Sequence, residues 1–282
     1  MKKKIAGVLL ATTLLASSTA YASTAVPIKI DGAIIASDIK PEVKNNRTMV
    51  PLRVISENLG AKVEWSKTEV TLTKSDMKVT LNTNSATALR NGQQVQLDAK
   101  PFVINNRIIV PLRFIAETFG CEVNYSNGEV TVESAMLVIK GVTVNAMQNE
   151  YHMTMGGVVQ QITANALNKA IYNIFETTKG AKVDAPANYS WNVSIDVPGS
   201  YYKNAQYDFL GSNGKSVQRY DIYSLIQTAA DDTSTDTSDV LLHDVTNNKW
   251  YLFSAGARDA VNQLVDQANA NGALKVISNT VV

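Results

Sequence analysis

The stretch Asn45-Asn46-Arg47-Thr48-Met49-Val50-Pro51-Leu52-Arg53-Val54-Ile55-Ser56-Glu57-Asn58-Leu59-Gly60 is written again sixty residues later. It recurs as Asn105-Asn106-Arg107-Ile108-Ile109-Val110-Pro111-Leu112-Arg113-Phe114-Ile115-Ala116-Glu117-Thr118-Phe119-Gly120. The alignment extends without a gap from Pro41/Pro101 to Val63/Val123, and the same offset relates Gly32 to Gly92, Asp38 to Asp98 and Lys40 to Lys100. Self-similarity of this extent reads as a tandem duplication.

Each copy carries a physical grammar. The Asn pairs tolerate positive φ and predict tight turns. A β-prone run follows, and Pro51 or Pro111 then sits where the first helical position is expected, since its missing N–H is not needed there. Gly60 or Gly120 ends that helix in the left-handed conformation. Leu52, Ile55 and Leu59 share one helical face, as do Leu112, Ile115 and Phe119, and helices this short must pack on a sheet to persist. Val63–Trp65, Val70–Leu72, Val79–Leu81, Val95–Leu97 and Val130–Val132 supply short strands. Turns such as Asn91-Gly92 and Asn127-Gly128 separate them, which implies antiparallel pairing. Arg53/Glu57 and Arg113/Glu117 stand at i, i+4 and predict surface ion pairs rather than ligand arginines.

The doubled Asn-Asn-Arg-x-x-Val-Pro-Leu-Arg-x-Ile-x-Glu-x-x-Gly-x-x-Val pattern resembles the copper amine oxidase N-terminal, or stalk, domain over residues 27–134. The resemblance implies a twisted antiparallel sheet wrapped on short helices, in a family common among secreted proteins of Gram-positive bacteria. It implies neither copper ligands nor oxidase chemistry. The Asn-Tyr-Asp/Glu site of the oxidase's quinone cofactor is missing too, because Asn188-Tyr189 is followed by Ser190. No cofactor is expected.

Residues 1–22 read as a secretory signal. Lys2-Lys3-Lys4 is its basic region, Ile5 to Ala16 its apolar region, and Ala20-Tyr21-Ala22 its cleavage site. Removing it takes three of 26 basic residues and leaves 23 against 25 acidic ones. That balance argues against a nucleic-acid partner. No later stretch is long and apolar enough for a membrane span, so none is expected after cleavage. The expected location is the extracellular side of a Gram-positive envelope. A lone Cys121 allows no intrachain disulfide, and two histidines cannot build a three-histidine metal centre.

From Ala135 the repeat stops. Met136–Val144 reads as strand or connector. Val158, Ile162, Ala166, Leu167, Ala170, Ile171 and Ile174 recur at helical spacing and place an amphipathic helix within 157–177. Alternation predicts a strand over 191–197 that pairs with 201–209, a third strand over 217–225, and a hairpin of 240–245 with 250–253. Ser254 is the expected cap of a last helix that buries Ala257, Ala260, Val261, Leu264, Val265 and Ala268 and ends at Gly272; a strand over 274–277 follows. The fold class is therefore α+β. A duplicated antiparallel-sheet-plus-short-helix module occupies 23–134, and a separate α+β domain occupies 135–282.

No catalytic, cofactor or metal set emerges. His243-Asp244 with Ser254 lacks a nucleophile elbow, and adjacent strand residues face opposite ways. His152 falls in a polar connector with no evident partner. Asp231–Asp239 holds four carboxylates without the glycine of a calcium loop, and a solvated loop is the expectation. Alternation sends Trp191, Tyr201 and Tyr207 to the core. Tyr202 and Tyr223 fall out of phase and are the candidates for an exposed ligand or partner surface. The resulting expectation is a secreted, non-catalytic binding or structural protein. Its stalk module would be a spacer or surface-docking unit, and its partner a cell-wall polymer or another exported protein. The rival classes are an exported hydrolase of wall polymer or peptide and an inhibitor or chaperone-like partner.

Overall fold

The Asn-Asn turns set the frame of the first half. In the computed structural model, which describes residues 26–66, 68–153, 155–192, 197, 199–226 and 240–282, Asn45, Asn46, Asn105 and Asn106 all have φ between 47° and 60°. Residues 1–22 and the 231–239 loop lie outside the described residues, as do 193–196 of the strand expected at 191–197.

Each turn closes a hairpin, Glu42–Lys44 with Arg47–Pro51 and Phe102–Ile104 with Arg107–Pro111. The two hairpins then join edge to edge, with Val50 directly opposite Val110. Arg47 of the first hairpin ion-pairs with Asp98, and Arg107 of the second with Asp38, so each hairpin holds an acid from the connection leading to the other. Pro51 and Pro111 stand one residue earlier than expected. Each ends its strand and caps its helix at φ −61°, a value that suits both roles. Helices α1 (Leu52–Asn58) and α2 (Leu112–Thr118) follow, and bury Leu52, Ile55, Leu112 and Ile115. Gly60 (φ 77°) and Gly120 (φ 72°) end them as expected. The amides of Ala61 and Cys121 reach back to the carbonyls of Ser56 and Ala116 at 2.9 Å, which satisfies carbonyls the helix end leaves open.

A five-stranded meander runs through 62–66, 69–74, 77–82, 87–90 and 93–96. The second sheet is closed differently. Strands 122–126 and 129–133 pair antiparallel, and the first strand of the described chain, Ile28–Ile30, adds in parallel, Ile28 beside Val130 and Ile30 beside Val132. One core, including Ile28, Val50, Leu59, Leu72, Val110 and Val132, runs through this half.

The second half is a ten-stranded sheet covered on one face by α3 (Asn165–Thr178) and α4 (Ala255–Ala270). Its main path is 182–183, 249–253, 240–244, 216–225, 201–211, 142–153, 156–162 and 274–279. Met147, Phe175, Tyr207, Phe209, Ile222 and Val261 are among its core residues. Ser254 caps α4, its Oγ accepting from Ala257 N at 3.0 Å, and Gly272 follows at φ 74°. The expected helix begins late, however. Val158 and Ile162 lie on the Gly156–Ile162 strand, paired on both sides. A four-residue spacing satisfies a period of two as well as one of 3.6, so it could not distinguish the two. The chain is mixed sheet and helix, an α+β fold. No described helix is long and apolar enough to cross a membrane.

Asp31 ties the halves together. It sits at φ 48° and its carboxylate accepts from Ser134 N and Oγ. The same carboxylate accepts from Ala166 N at 2.8 Å, in the first turn of α3. The residue before that helix, Ala164, offers no side-chain cap, so Asp31 supplies one from the other half. Gly60 completes the junction by lying against Ala166 and Ala170.

Candidate functional site

The sequence-derived candidates fall on the ten-stranded sheet, and its face away from the helices holds most of them. Cross-strand pairing lines up Glu150, Gln206, Asp221, His243 and Trp250 in one row. Lys203 and Asp221 form a buried ion pair at 2.6 Å, and Arg219 holds the same carboxylate with Nε and Nη2. Burial pushes the Lys203 ammonium below its usual range, and the Asp221 charge offsets part of that. Lys203 also bonds Gln206, Gln206 bonds Glu150, and Glu150 bonds His152. Both histidines stack flat on tryptophans, His152 on Trp191 at 4.0 Å and His243 on Trp250 at 4.2 Å.

This corrects the expectations for His152, Tyr223, Trp191 and Tyr201. His152 is no connector residue: it lies near the end of the long Val142–Met153 strand and has Glu150 and Trp191 as partners. Tyr223 is 4 % exposed rather than a surface platform. It is out of phase with its apolar neighbours, but the second face it reaches has a small core of its own. That core comprises Tyr223, Leu241 and Trp250, with Tyr189 packed edge-on at 4.8 Å from the Trp250 ring. Tyr202 is half-buried, and its hydroxyl donates to the His152 carbonyl at 3.0 Å. Tyr207 is buried in the helix-side core, whereas Trp191 and Tyr201 are half-buried on this other face. His243 accepts or donates a bond with Asn248, and Ser254 caps α4, so the two are not brought together. Among the described residues no three His, Cys, Asp or Glu gather to hold a metal ion.

The concave site lies on the helix side. The pairing of 201–211 with 216–225 shifts register between Lys203 and Ala205, which makes Asn204 the extra residue of a bulge. A bulge re-aims side chains: Lys203 points to the outer face while Ala205 belongs to the helix-side core. Beside it opens a cleft of about 460 Å³ between the sheet and α4. Asn149, Gln160, Asn204, Asn262 and Asn269 bring five side-chain amides to its wall; Tyr151 and Tyr207 add aromatic surface, and Asp266 is the one carboxylate among the described residues that line it. Tyr207 donates to Asn262 Oδ1 at 3.2 Å. Burial, with the nearby Asp266 charge, raises the Tyr207 phenol far above its usual range and keeps it a neutral donor. Asn262, Asp266 and Asn269 stand at i, i+4 and i+7, one helical face. That spacing, and an Asn149 interrupting the apolar Met147-x-Asn149-x-Tyr151 alternation, were the sequence signals for a site that aromatic counting missed.

A pair of smaller concavities marks the first half. One, of about 160 Å³, is lined by Asn46, Arg47, Pro111, Arg113 and Tyr125 among others. The other, of about 210 Å³, is lined by Asn106, Arg107, Pro51, Arg53 and Trp65 among others. The Arg53–Glu57 and Arg113–Glu117 ion pairs are present, each at 3.7 Å.

Two comparisons find nothing: no curated protein and no solved structure is significantly similar to the chain. A third matches residues 29–134 to the family described as the copper amine oxidase N-terminal domain, the segment that contains the paired hairpins, α1, α2 and both of the smaller concavities.

Proposed function

We propose that this is an exported, non-catalytic binding protein. In this reading residues 1–22 are a signal, the 23–134 module is a duplicated surface-docking unit, and residues 135–282 form a domain that takes an uncharged, hydroxyl-rich ligand in its amide-lined cleft. A wall glycan is the class that fits. The observation that carries the reading is the wall itself: five amides, two tyrosines and one carboxylate. Side-chain amides donate and accept at once, which suits vicinal hydroxyls, and aromatic faces cover the apolar face of a sugar ring. Hydrolysis of a glycosidic bond ordinarily employs two carboxylates, and the described wall of the cleft offers Asp266 alone, which favours binding over cleavage.

Isothermal titration of the mature protein with soluble neutral wall-glycan oligosaccharides tests this. Saturable binding that falls at least tenfold in Asn262→Ala and Asn269→Ala is the expected result. Unchanged affinity in both variants would refute the assignment of the cleft, and release of reducing ends would restore the hydrolase reading.

A further inference from the structure

The two small concavities of the 29–134 segment are built from the same parts sixty residues apart. Asn46, Arg47, Pro111, Arg113 and Tyr125 in one correspond to Asn106, Arg107, Pro51, Arg53 and Trp65 in the other. Each is composite. Its turn and first arginine come from one copy, its proline, second arginine and aromatic from the other, on either side of the Val50–Val110 pair.

Packing does not require these chemistries. Trp65 and Tyr125 are 45 % and 47 % exposed, on strands where solvent-facing neighbours have diverged, Lys62 to Glu122 and Glu64 to Asn124. An indole and a phenol kept at equivalent exposed positions offer a flat surface at low entropic cost. Arg113 lies over the Tyr125 ring, 5.4 Å from its centroid. Its contact with Glu117, like that of Arg53 with Glu57, is 3.7 Å, beyond hydrogen-bond length, so guanidinium donors stay open in both sites. Arg47 and Arg107 are already held by Asp98, which lines the first site, and by Asp38, so the open donors are those of Arg113 and Arg53.

The geometry points to twin subsites for the acidic sugar units of a repeating anionic polysaccharide, each ring stacking on Trp65 or Tyr125 and each carboxylate taken by Arg53 or Arg113. A guanidinium meets a carboxylate with two parallel donors. Two equivalent subsites on one rigid module make a polymer bind far more tightly than its monomer, because the second contact is intramolecular. This inference rests on reading the module as a docking unit and is independent of the C-terminal cleft.

Affinity electrophoresis and titration of the mature protein against polygalacturonate, galacturonic acid, a neutral glycan and poly(glycerol phosphate) test it. Polygalacturonate should bind at least a hundredfold more tightly than the monomer. Trp65→Ala and Tyr125→Ala should each remove most of that gain, and the double variant should bind no better than the monomer does. Trp65→Phe and Tyr125→Phe should retain binding, which separates loss of a stacking face from loss of fold. Arg53→Lys and Arg113→Lys should weaken it about tenfold while circular dichroism stays unchanged. Three results would overturn the inference: polygalacturonate binding indifferent to both aromatics, neutral-glycan binding that falls in Trp65→Ala and Tyr125→Ala as far as polygalacturonate binding does, or binding of the ringless poly(glycerol phosphate) alone. Neutral-oligosaccharide binding at Asn262 and Asn269, measured on the same variants, should not change, so failure here is distinguishable from failure of the C-terminal cleft.

Discussion

Gly60 and Gly120 provide a matched experiment on what joins the halves. Both end a seven-residue helix and both hold the left-handed conformation, at φ 77° and 72°. An alanine at either position pays about 1–2 kcal/mol for placing a Cβ there. Their surroundings differ. A Cβ on Gly120 meets nothing within 4 Å, whereas one on Gly60 comes within 3.0 Å of Ala170 Cβ and 3.2 Å of the Ala166 carbonyl oxygen. Ala166 is backbone in the first turn of α3, pinned by Asp31, and cannot swing aside as a long side chain would. Overpacking of this kind adds about 1–3 kcal/mol. Gly120→Ala should therefore cost about 1–2 kcal/mol and Gly60→Ala about 2–5 kcal/mol. Urea denaturation of both variants measures the difference. Ala170→Gly in the Gly60→Ala background should restore part of it, whereas Ala170→Gly alone costs about 1 kcal/mol as a helix substitution. Equal losses at the two glycines, or no coupling to Ala170, would refute the argument that Gly60 is selected by its contact with α3.

Other outcomes follow from single contacts. Asp31→Ala should destabilise by about 1–2 kcal/mol through the lost cap, with Asp31→Asn milder; limited proteolysis should then cut between the halves sooner. Ser254→Ala should cost about 1 kcal/mol in thermal or urea unfolding, since its hydroxyl caps α4. His243 titrates below the ordinary histidine value, chiefly because burial disfavours its charge. The unfolded chain then takes up the proton first as pH falls, so stability drops on acidification through the ordinary histidine range and is unaffected by this group above it. His243→Phe, which keeps a ring on Trp250, should flatten that acid slope, and an NMR midpoint above the ordinary value would contradict it.

Much of this fold was legible because its punctuation is local. Positive φ at Asn45, Asn91, Asn105 and Asn127 depends on the residue and its neighbour alone, and so do the glycine helix ends. The hairpin at 240–253 and the cap at Ser254 were legible for the same reason. What failed was non-local. Val158 and Ile162 fit two periods at once, and only the partner strands on both sides decide between them. Tyr223 was placed on the correct side of its strand, yet its burial depends on Tyr189 and Trp250 arriving from elsewhere. The bulge at Asn204 leaves no trace in composition, and the cleft it adjoins joins residues more than a hundred positions apart. Asp31 looks like an ordinary turn residue until α3 is set beside it.

The parallel pairing of Ile28–Ile30 with Val130–Val132 constrains the order in which the chain can mature. The first described strand has only the short Ala33–Ile34 partner until residue 132 has been made, whereas the 62–96 meander can close from neighbouring segments. For this interval an apolar strand edge stands open, the species most prone to pair with the wrong chain. Lys29, between the two isoleucines, reaches Glu129 at 2.8 Å once the strand docks. Before then its charge guards the edge, so Lys29→Val would leave the finished fold nearly as stable while lowering the yield of molecules that reach it.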